Sequence, residues 1–288
     1  MHEKSYLAIR APKGDAFTIK TRPDFIKLHA VILAIAKRGS GKTVALTNIL
    51  RMMLENQALD RLILVSGTYH NNTSAFAGLP LSPDDVLEPA RDAPAKLASM
   101  LSEMGAAYDE HQAKLKRWLR LQALIRGDTD PRWIDAELLR EFPNPAERPW
   151  YAYRGKPTVA VMFDDCQGSP CFAPSSGLSN LVIKHRHLGA TCHGALGATL
   201  LFATQSYTSN AMGLPRSVRA NVTHMLVFRT KSGKELEQIA GEVSGEVSHD
   251  DFLVKYEQAV VDRHDFLFID LHPKAGNSMF RRNMETML

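Results

Sequence analysis

The sequence has no long hydrophobic run, and this absence bears on where the chain resides. A helix needs roughly 18 consecutive apolar residues to cross a bilayer, and no segment of the 288 residues approaches that length. The first ten residues, MHEKSYLAIR, also lack the apolar centre of a signal peptide. We therefore expect that this chain does not insert into a membrane, and that it stays in the compartment where it is made or is carried elsewhere by partners.

Cysteine is scarce, and neither sign of charge is in large excess. Cys166, Cys171 and Cys192 form neither a CxxC pair nor an even set, which argues against a disulfide framework and favours a reducing compartment. The net charge of +4 is too small to identify an anionic partner. With 44% hydrophobic and 23% charged residues, the composition excludes collagen, coiled-coil and wholly disordered chains.

Five short apolar segments predict the core of an α/β domain. They are nearly continuous runs of apolar residues separated by stretches with helical spacing, a pattern typical of a parallel sheet covered on both faces. A sixth such segment, DFLFIDL, follows two further predicted helices near the carboxyl terminus. The predicted strands comprise residues 31–35, 61–67, 158–165, 199–205, 224–229 and 265–271.

The remaining segments are interpreted as additions to a single domain of 288 residues. Two alternating stretches around the turn-like APKGDA predict an N-terminal β-hairpin within residues 1–30. Apolar residues in steps of three, four or seven predict a helical insertion at 84–148, which ends in the proline cluster of 142–150. Residues 241–288 form a C-terminal extension.

The stretch AKRGSGKTV, residues 36–44, is typical of a phosphate-binding loop between a strand and a helix. Backbone N–H groups of such a loop point at the phosphates, so Gly39 and Gly41 stand where side chains would obstruct. Lys42 is suited to reach the β- and γ-phosphates, and the Thr43 hydroxyl to bind Mg²⁺. The predicted nucleotide-binding residues are Lys37, Arg38, Gly39, Ser40, Gly41, Lys42, Thr43 and Val44.

Ala36 departs from the usual pattern GxxxxGK[ST], which has glycine at this position. Alanine is costly there only if the backbone needs a positive φ, because its Cβ disfavours that region. We therefore predict a negative φ at Ala36 and a functional loop.

Three polar residues follow predicted strands where a nucleotide would lie. Hydrolysis requires one carboxylate near Mg²⁺ and a second that orients or deprotonates the attacking water. Asp164 and Asp165 end the third strand and suit these two tasks in that order. Gln205 ends the fourth strand and is placed to sense the γ-phosphate or the water, because ligands bind at the carboxyl ends of strands in open α/β sheets.

The order of these motifs resembles the FtsK–HerA superfamily of ring-forming DNA-translocating ATPases. After FATQ, the stretch SVRANVTHMLVFR is similar to the family's pattern of a basic residue, a small residue and asparagine before an apolar strand. The loop KRGSGKT, the two aspartates and the segment HRHLG most resemble the genome-packaging ATPases of large DNA viruses, of the poxvirus type. The resemblance covers residues 30–240 and implies a RecA-like P-loop NTPase fold with a mainly parallel central sheet.

The resemblance also implies cofactors, partners and further site residues. It implies ATP and Mg²⁺ as cofactors, and double-stranded DNA, a homo-oligomeric ring and capsid vertex proteins as partners. The corresponding location is the virion, or the host-cell cytoplasm and its viral factories. Arg186 matches the family's arginine that reaches the nucleotide of a neighbouring subunit, and Arg219 in SVRAN is the alternative. His185 and His187 are two residues apart and would not share a helix face, which argues against a metal site there.

Other functions remain open at this stage. The motifs also suit another FtsK–HerA-type DNA pump or helicase-like ATPase, a small-molecule P-loop kinase, or a nucleotide-bound capsid scaffold. Contact with DNA is the least specific prediction, because a charge run on a helix is often a solvated face. The basic candidates are the segments 114–120 and 184–187, together with Arg281 and Arg282.

Overall fold

The computed structural model describes residues 26–127, 134–207, 214–243, 247–273 and 276–288. The hairpin predicted within 1–30 falls largely outside these ranges. The strands within them are β1 (Val31–Ile35), β2 (Arg61–Ser66), β3 (Val86–Leu87), β4 (Val159–Asp164), β5 (Ala190–Thr191), β6 (Gly194–Ala195), β7 (Ala198–Thr204), β8 (His224–Phe228), β9 (Phe266–Asp270), β10 (Phe280–Arg282) and β11 (Thr286–Met287). The helices are α1 (Lys42–Glu55), α2 (Ala93–Arg126), α3 (Ala136–Glu141), α4 (Leu178–Ile183), α5 (Arg216–Arg219), α6 (Gly233–Val243) and α7 (His249–Ala259).

A nine-stranded sheet organises this part of the chain, with the order β11-β10-β9-β8-β1-β7-β4-β2-β3. Within the part of the sheet with the order β8-β1-β7-β4-β2-β3, every pair of neighbouring strands is parallel. β9 and β10 add to the β8 edge in antiparallel orientation, and β11 pairs with β10. The predicted α/β fold with a mainly parallel sheet is therefore confirmed.

The sheet is buried on both faces, which explains why its central strands are apolar throughout. Alternate residues of β1 enter two different clusters: Val31, Leu33 and Ile35 face one, and Ile32 and Ala34 face the other. The first cluster is covered by the amino-terminal part of α2 and by α4 to α7, and the second mainly by α1. This two-layer burial is the usual reason for unbroken apolar strands in α/β proteins.

The segment 84–148, predicted as a helical insertion, takes part in the main core at its beginning. β3 extends the sheet edge beside β2, and Leu97, Leu101 and Met104 of α2 lie in the larger core cluster. With 34 residues, α2 is about 51 Å long at 1.5 Å per residue. Its distal part packs on α3 through a small separate cluster that contains Leu121.

The extension predicted at 241–288 is continuous with the sheet. It supplies α7, β9, β10 and β11, and β9 pairs along the whole of β8. Because β9 runs against β8, Phe266 at the start of β9 lies beside Phe228 at the end of β8. This pairing brings the beginning of β9 to the edge where the parallel strands end. No helix in the described ranges is long and apolar enough to cross a membrane.

Candidate nucleotide site

The loop from Ala36 to Gly41 joins the carboxyl end of β1 to the amino end of α1. Gly39 and Gly41 have φ values of 77° and 96°, a left-handed region that glycine adopts without strain. Ala36 is not in this region. Its N–H donates to the Thr204 carbonyl at 3.1 Å, so it extends the pairing of β1 with β7. The negative φ predicted for Ala36 is confirmed, and the substitution leaves the two essential glycines in place.

The Lys42 side chain folds back across the loop that precedes it. Its Nζ donates to the Ala36 carbonyl at 3.0 Å and to the Lys37 carbonyl at 3.4 Å. Partial burial lowers the pKa of Lys42, and the carboxylates of Asp165 and Asp164 act in the opposite direction. The ammonium group therefore lies against the loop carbonyls and within the electrostatic influence of both aspartates, at the place where a phosphate would bind.

Thr43 and Asp164 are in direct contact. The Thr43 hydroxyl donates to Asp164 Oδ1 at 2.8 Å. Asp164 is 3% exposed at the end of β4, and this burial raises its pKa. The neighbouring Asp165 acts in the same direction, whereas the Thr43 hydrogen bond and Lys42 lower the pKa. A hydroxyl and a buried carboxylate at the head of α1 suit Mg²⁺, which takes oxygen ligands and keeps several waters.

Asp165 and Gln205 form the second polar pair at this edge. Because β4 and β7 are adjacent and parallel, the residues that follow them meet, and Gln205 Nε2 donates to Asp165 Oδ1 at 2.8 Å. Asp165 is exposed and has a φ of 51°. Such a backbone conformation is uncommon outside glycine and often marks functional sites. The pair is arranged to hold a polar group or a water above the sheet edge.

Two residues that support Gln205 were not predicted. Gln167 accepts hydrogen bonds from the backbone N–H of Gln205 at 2.7 Å and of Ser206 at 3.1 Å. The buried Glu235 of α6 accepts from the Ser206 hydroxyl at 2.7 Å and the Tyr207 N–H at 2.9 Å. The position of Gln167 in DDCQG was a usable signal, because it lies two residues past the aspartates. Glu235 is distant in sequence, and its role depends on the packing of α6.

His264 is a third unpredicted neighbour of the loop. It precedes β9, and its Nδ1 lies 3.2 Å from the Ser40 carbonyl. A Cβ at Gly41 would come within 3.4 Å of the same Nδ1. The antiparallel orientation of β9 explains this contact, because it returns the chain to the nucleotide edge.

Arg219 is occupied within its own subunit. Its guanidinium forms an ion pair with Glu242 at 2.6 Å and lies over the Tyr207 ring at 5.2 Å from the centroid. The Tyr207 hydroxyl donates to the same carboxylate. This arrangement holds the segment after Gln205 against α6. It also engages the guanidinium of Arg219, the alternative candidate for the arginine that reaches a neighbouring subunit's nucleotide.

Arg186 is exposed and lies far from the loop of its own subunit. It belongs to the 3-10 turn His185–His187, in which the buried His185 places Nε2 2.8 Å from the carbonyl of His29. His29 lies just before β1, whereas the loop follows β1. The five steps of extended chain from Val31 to Ala36 alone span about 17 Å at about 3.3 Å each. Arg186 therefore lies near the amino ends of the parallel strands, whereas the loop lies at their carboxyl ends. It does not reach the nucleotide site of its own subunit.

Two arginines of the segments predicted to bind DNA form ion pairs within the chain. Arg117 in the segment 114–120 forms a two-pronged ion pair with Glu141, whose acceptor distances are 2.6 to 3.1 Å. Arg282 pairs with Asp265 at 2.7 Å. These two arginines are therefore engaged by carboxylates of the same chain. Across the residues with described positions, no group of three or more His, Cys, Asp and Glu side chains suits a metal ion.

Comparisons with known proteins provide likenesses of fold. No family model and no curated protein matches the sequence. A solved structure of the genome packaging NTPase B204 from Sulfolobus turreted icosahedral virus 2, in complex with AMPPCP, is 14% identical. It covers 91% of this chain and 100% of its own, with a TM-score of 0.48.

Two further solved structures with similarity to this chain are a conjugation coupling protein and VirB4. The pCW3 conjugation coupling protein TcpA with ATPgS is 19% identical over 88% of this chain and 59% of its own, with a TM-score of 0.42. VirB4 of Thermoanaerobacter pseudethanolicus is 14% identical over 84% and 87%, with a TM-score of 0.41. Because these identities and scores are low, the residue roles below rest on the geometry of this chain.

Proposed function

We propose that this chain is an ATPase that works as a homo-oligomeric ring and moves double-stranded DNA, with packaging of a viral genome into a capsid as its task. The observation that carries the proposal is the set of side chains at one sheet edge. Lys42, the Thr43–Asp164 pair and the Asp165–Gln205 pair converge there from the ends of three adjacent strands. The sequence resemblance to genome-packaging ATPases supports the choice of task.

Nucleotide binding is assigned to the loop and to the head of α1. The N–H groups around Gly39 and Gly41 and the positive end of the 14-residue α1 suit phosphate oxygens. Lys42 supplies the mobile positive charge for the terminal phosphates. Thr43 and Asp164 would hold Mg²⁺, which when bound neutralises phosphate charge and orients the terminal phosphate.

Asp165 and Gln205 are assigned to the attacking water. Asp165 is exposed at the edge, so its carboxylate can accept a proton or a hydrogen bond from water. Gln205 already donates to that carboxylate, and its backbone is held by Gln167. A change in the phosphate contacts of Gln205 would therefore displace the segment that follows it, which leads to Tyr207 and contacts α6.

Arg186 is assigned to the site of a neighbouring subunit. It is exposed at the edge opposite its own loop, so it is available to a second copy of the chain. An arginine supplied in this way typically accelerates hydrolysis by about 10³ to 10⁵. Hydrolysis would then depend on assembly, and DNA in the ring and capsid vertex proteins at its rim would be the partners.

The test is the ATPase rate per subunit, measured against protein concentration with and without double-stranded DNA. We expect the rate to rise with concentration as rings form and to rise further with DNA. The Lys42→Ala variant provides the background rate. A rate that is flat in concentration and indifferent to DNA would rule out the ring translocase and favour an enzyme that acts alone.

A further inference from the structure

A cavity of about 960 Å³ lies beside the phosphate-binding loop, between α1 and the hairpin of β10 and β11. Its volume falls within the roughly 300–1,000 Å³ range of small-molecule sites. Gly41 and Val44 line it on the loop side, and His264, Phe266 and Met284 line it on the other. No function has been assigned to it so far.

The cavity adjoins the end of the loop that would face the nucleoside. The γ-phosphate end is marked by Asp164 and Asp165 after β4 and by Gln205 after β7, all on one side of β1. The cavity lies on the other side of β1, where β8, β9 and the hairpin are found. A nucleotide whose phosphates occupy the loop would therefore extend its ribose and base toward the cavity.

The cavity presents apolar side chains that the fold leaves uncovered. Val44 is 53% exposed in the first turn of α1, although the neighbouring Leu46 is fully buried. Met284 has a φ of 70°, which is unfavourable for a side chain of this size. Asn283 also has a positive φ, as turns between antiparallel strands commonly require, and Met284 packs partly against the core cluster beneath α1.

A network of hydrogen bonds holds the strained turn in place. Asp265 Oδ1 accepts from the Asn283 side chain at 2.6 Å, and Asp265 Oδ2 accepts from Arg282 at 2.7 Å. Asn283 in turn accepts from the Phe266 N–H at 3.0 Å. Asp265 thus joins the turn that carries His264 to the turn that carries Met284. The two turns that form the wall opposite α1 are therefore held together.

We propose that this cavity binds the base and ribose of the nucleotide, with the base packed against Val44 and Met284. The proposal rests on the proposed function, because it requires a nucleotide whose phosphates lie in the loop. It adds a role for the C-terminal hairpin, which would enclose the nucleoside.

Calorimetric binding of ADP and of pyrophosphate, each with Mg²⁺, separates the nucleoside contribution from the phosphate contribution. Met284→Gly removes the side chain at a position whose φ favours glycine, so the hairpin should remain folded. We expect Met284→Gly to weaken ADP binding about tenfold and Val44→Ala several-fold. Pyrophosphate affinity should stay within about twofold of that of the unchanged protein, because the loop is intact.

Two matched variants control for the substitutions themselves. Gln57→Gly relaxes another residue with positive φ, and Val254→Ala trims another half-exposed valine, both outside the cavity lining. Neither should change ADP affinity. Equal losses for ADP and pyrophosphate, or no loss in Met284→Gly and Val44→Ala, would overturn the cavity assignment alone. If the unchanged protein binds neither compound, the proposed function fails, and this inference fails with it.

Discussion

The Thr43 hydroxyl donates to the Asp164 carboxylate at 2.8 Å, although 121 residues separate the two in sequence. This bond joins the head of α1 to the end of β4 and places both ligand candidates for Mg²⁺ together. Burial disfavours the charged form of Asp164, as its raised pKa indicates, and the Thr43 hydrogen bond acts in the opposite direction.

Asp164→Asn should abolish most hydrolysis and leave the fold intact. The amide oxygen can still accept the Thr43 hydrogen bond, but the charge for Mg²⁺ is lost. We expect a fall in ATPase rate of about 10² or more. Since burial raises the pKa of Asp164, removing its charge should hold or increase the melting temperature at neutral pH. Asp84→Asn, at an exposed carboxylate, is the control. A rate near that of the unchanged protein would contradict the metal role.

Glu235→Gln should lower the rate of hydrolysis without changing nucleotide affinity. Glu235 acts through Ser206 and Tyr207, which fix the segment after Gln205. A neutral acceptor holds these donors less firmly, because hydrogen bonds to charged groups are stronger. We expect about a tenfold fall in kcat with an unchanged KM for ATP. Glu237→Gln alters an exposed residue of the same helix and should change neither constant. A rise in KM alone would place Glu235 in binding instead.

Mixing two inactive variants should restore activity if Arg186 acts on a neighbouring subunit. Arg186→Ala keeps its own loop and aspartates, and Asp165→Asn keeps its arginine. Each variant alone should be at least about 10³-fold slower than the unchanged protein. In mixed rings, an Arg186→Ala site can meet an intact arginine from an Asp165→Asn neighbour. In an equal mixture, up to roughly a quarter of the interfaces would combine an intact Asp165 with an intact Arg186. Lys184→Ala is the control for the loss of surface charge. No recovery on mixing would indicate that Arg186 has another role.

Stability should fall as the pH drops from about 6.5 toward 4, and His29 should account for part of this loss. Burial, together with His185, Arg186 and Lys156, lowers the pKa of His29 to about 4. The unfolded chain binds the proton more readily in this window, so acid favours unfolding there.

His29→Asn removes this titration and suits the φ of 57°, since asparagine tolerates the left-handed region. We therefore expect the urea midpoint of His29→Asn to change less between pH 7 and pH 4.5 than that of the unchanged protein. His187→Asn, at an exposed histidine, should retain the full change. An equal pH dependence in all three proteins would show that His29 does not contribute.

The parallel sheet and the loop were predictable because their signals are local. Runs such as residues 31–35 and 199–205 are apolar throughout, and the structure has strands there within one or two residues. The glycines of the loop are required by backbone geometry, and Gly39 and Gly41 do adopt positive φ. The position of Asp164 near the loop could be predicted because the carboxyl ends of parallel strands lie on the same side of the sheet.

The features that were missed depend on long-range pairing. His264 reaches Ser40 only because β9 runs antiparallel to β8, and no short motif specifies that orientation. The contacts of Glu235 depend on how α6 packs. The helical pattern at 84–148 did not reveal that Leu97 and Leu101 belong to the main core, because periodicity shows that a face is buried but not against what.

The position of Arg186 opposite the loop has a consequence for assembly. If Arg186 completes a neighbour's site, each contact is head-to-tail, with different surfaces from the two subunits. Contacts of this kind generate rings if the rotation closes and open filaments if it does not. An open chain of subunits always ends with one unassisted loop and one unused arginine. Closure of the ring therefore adds the last active site, and only a closed ring has as many complete sites as subunits.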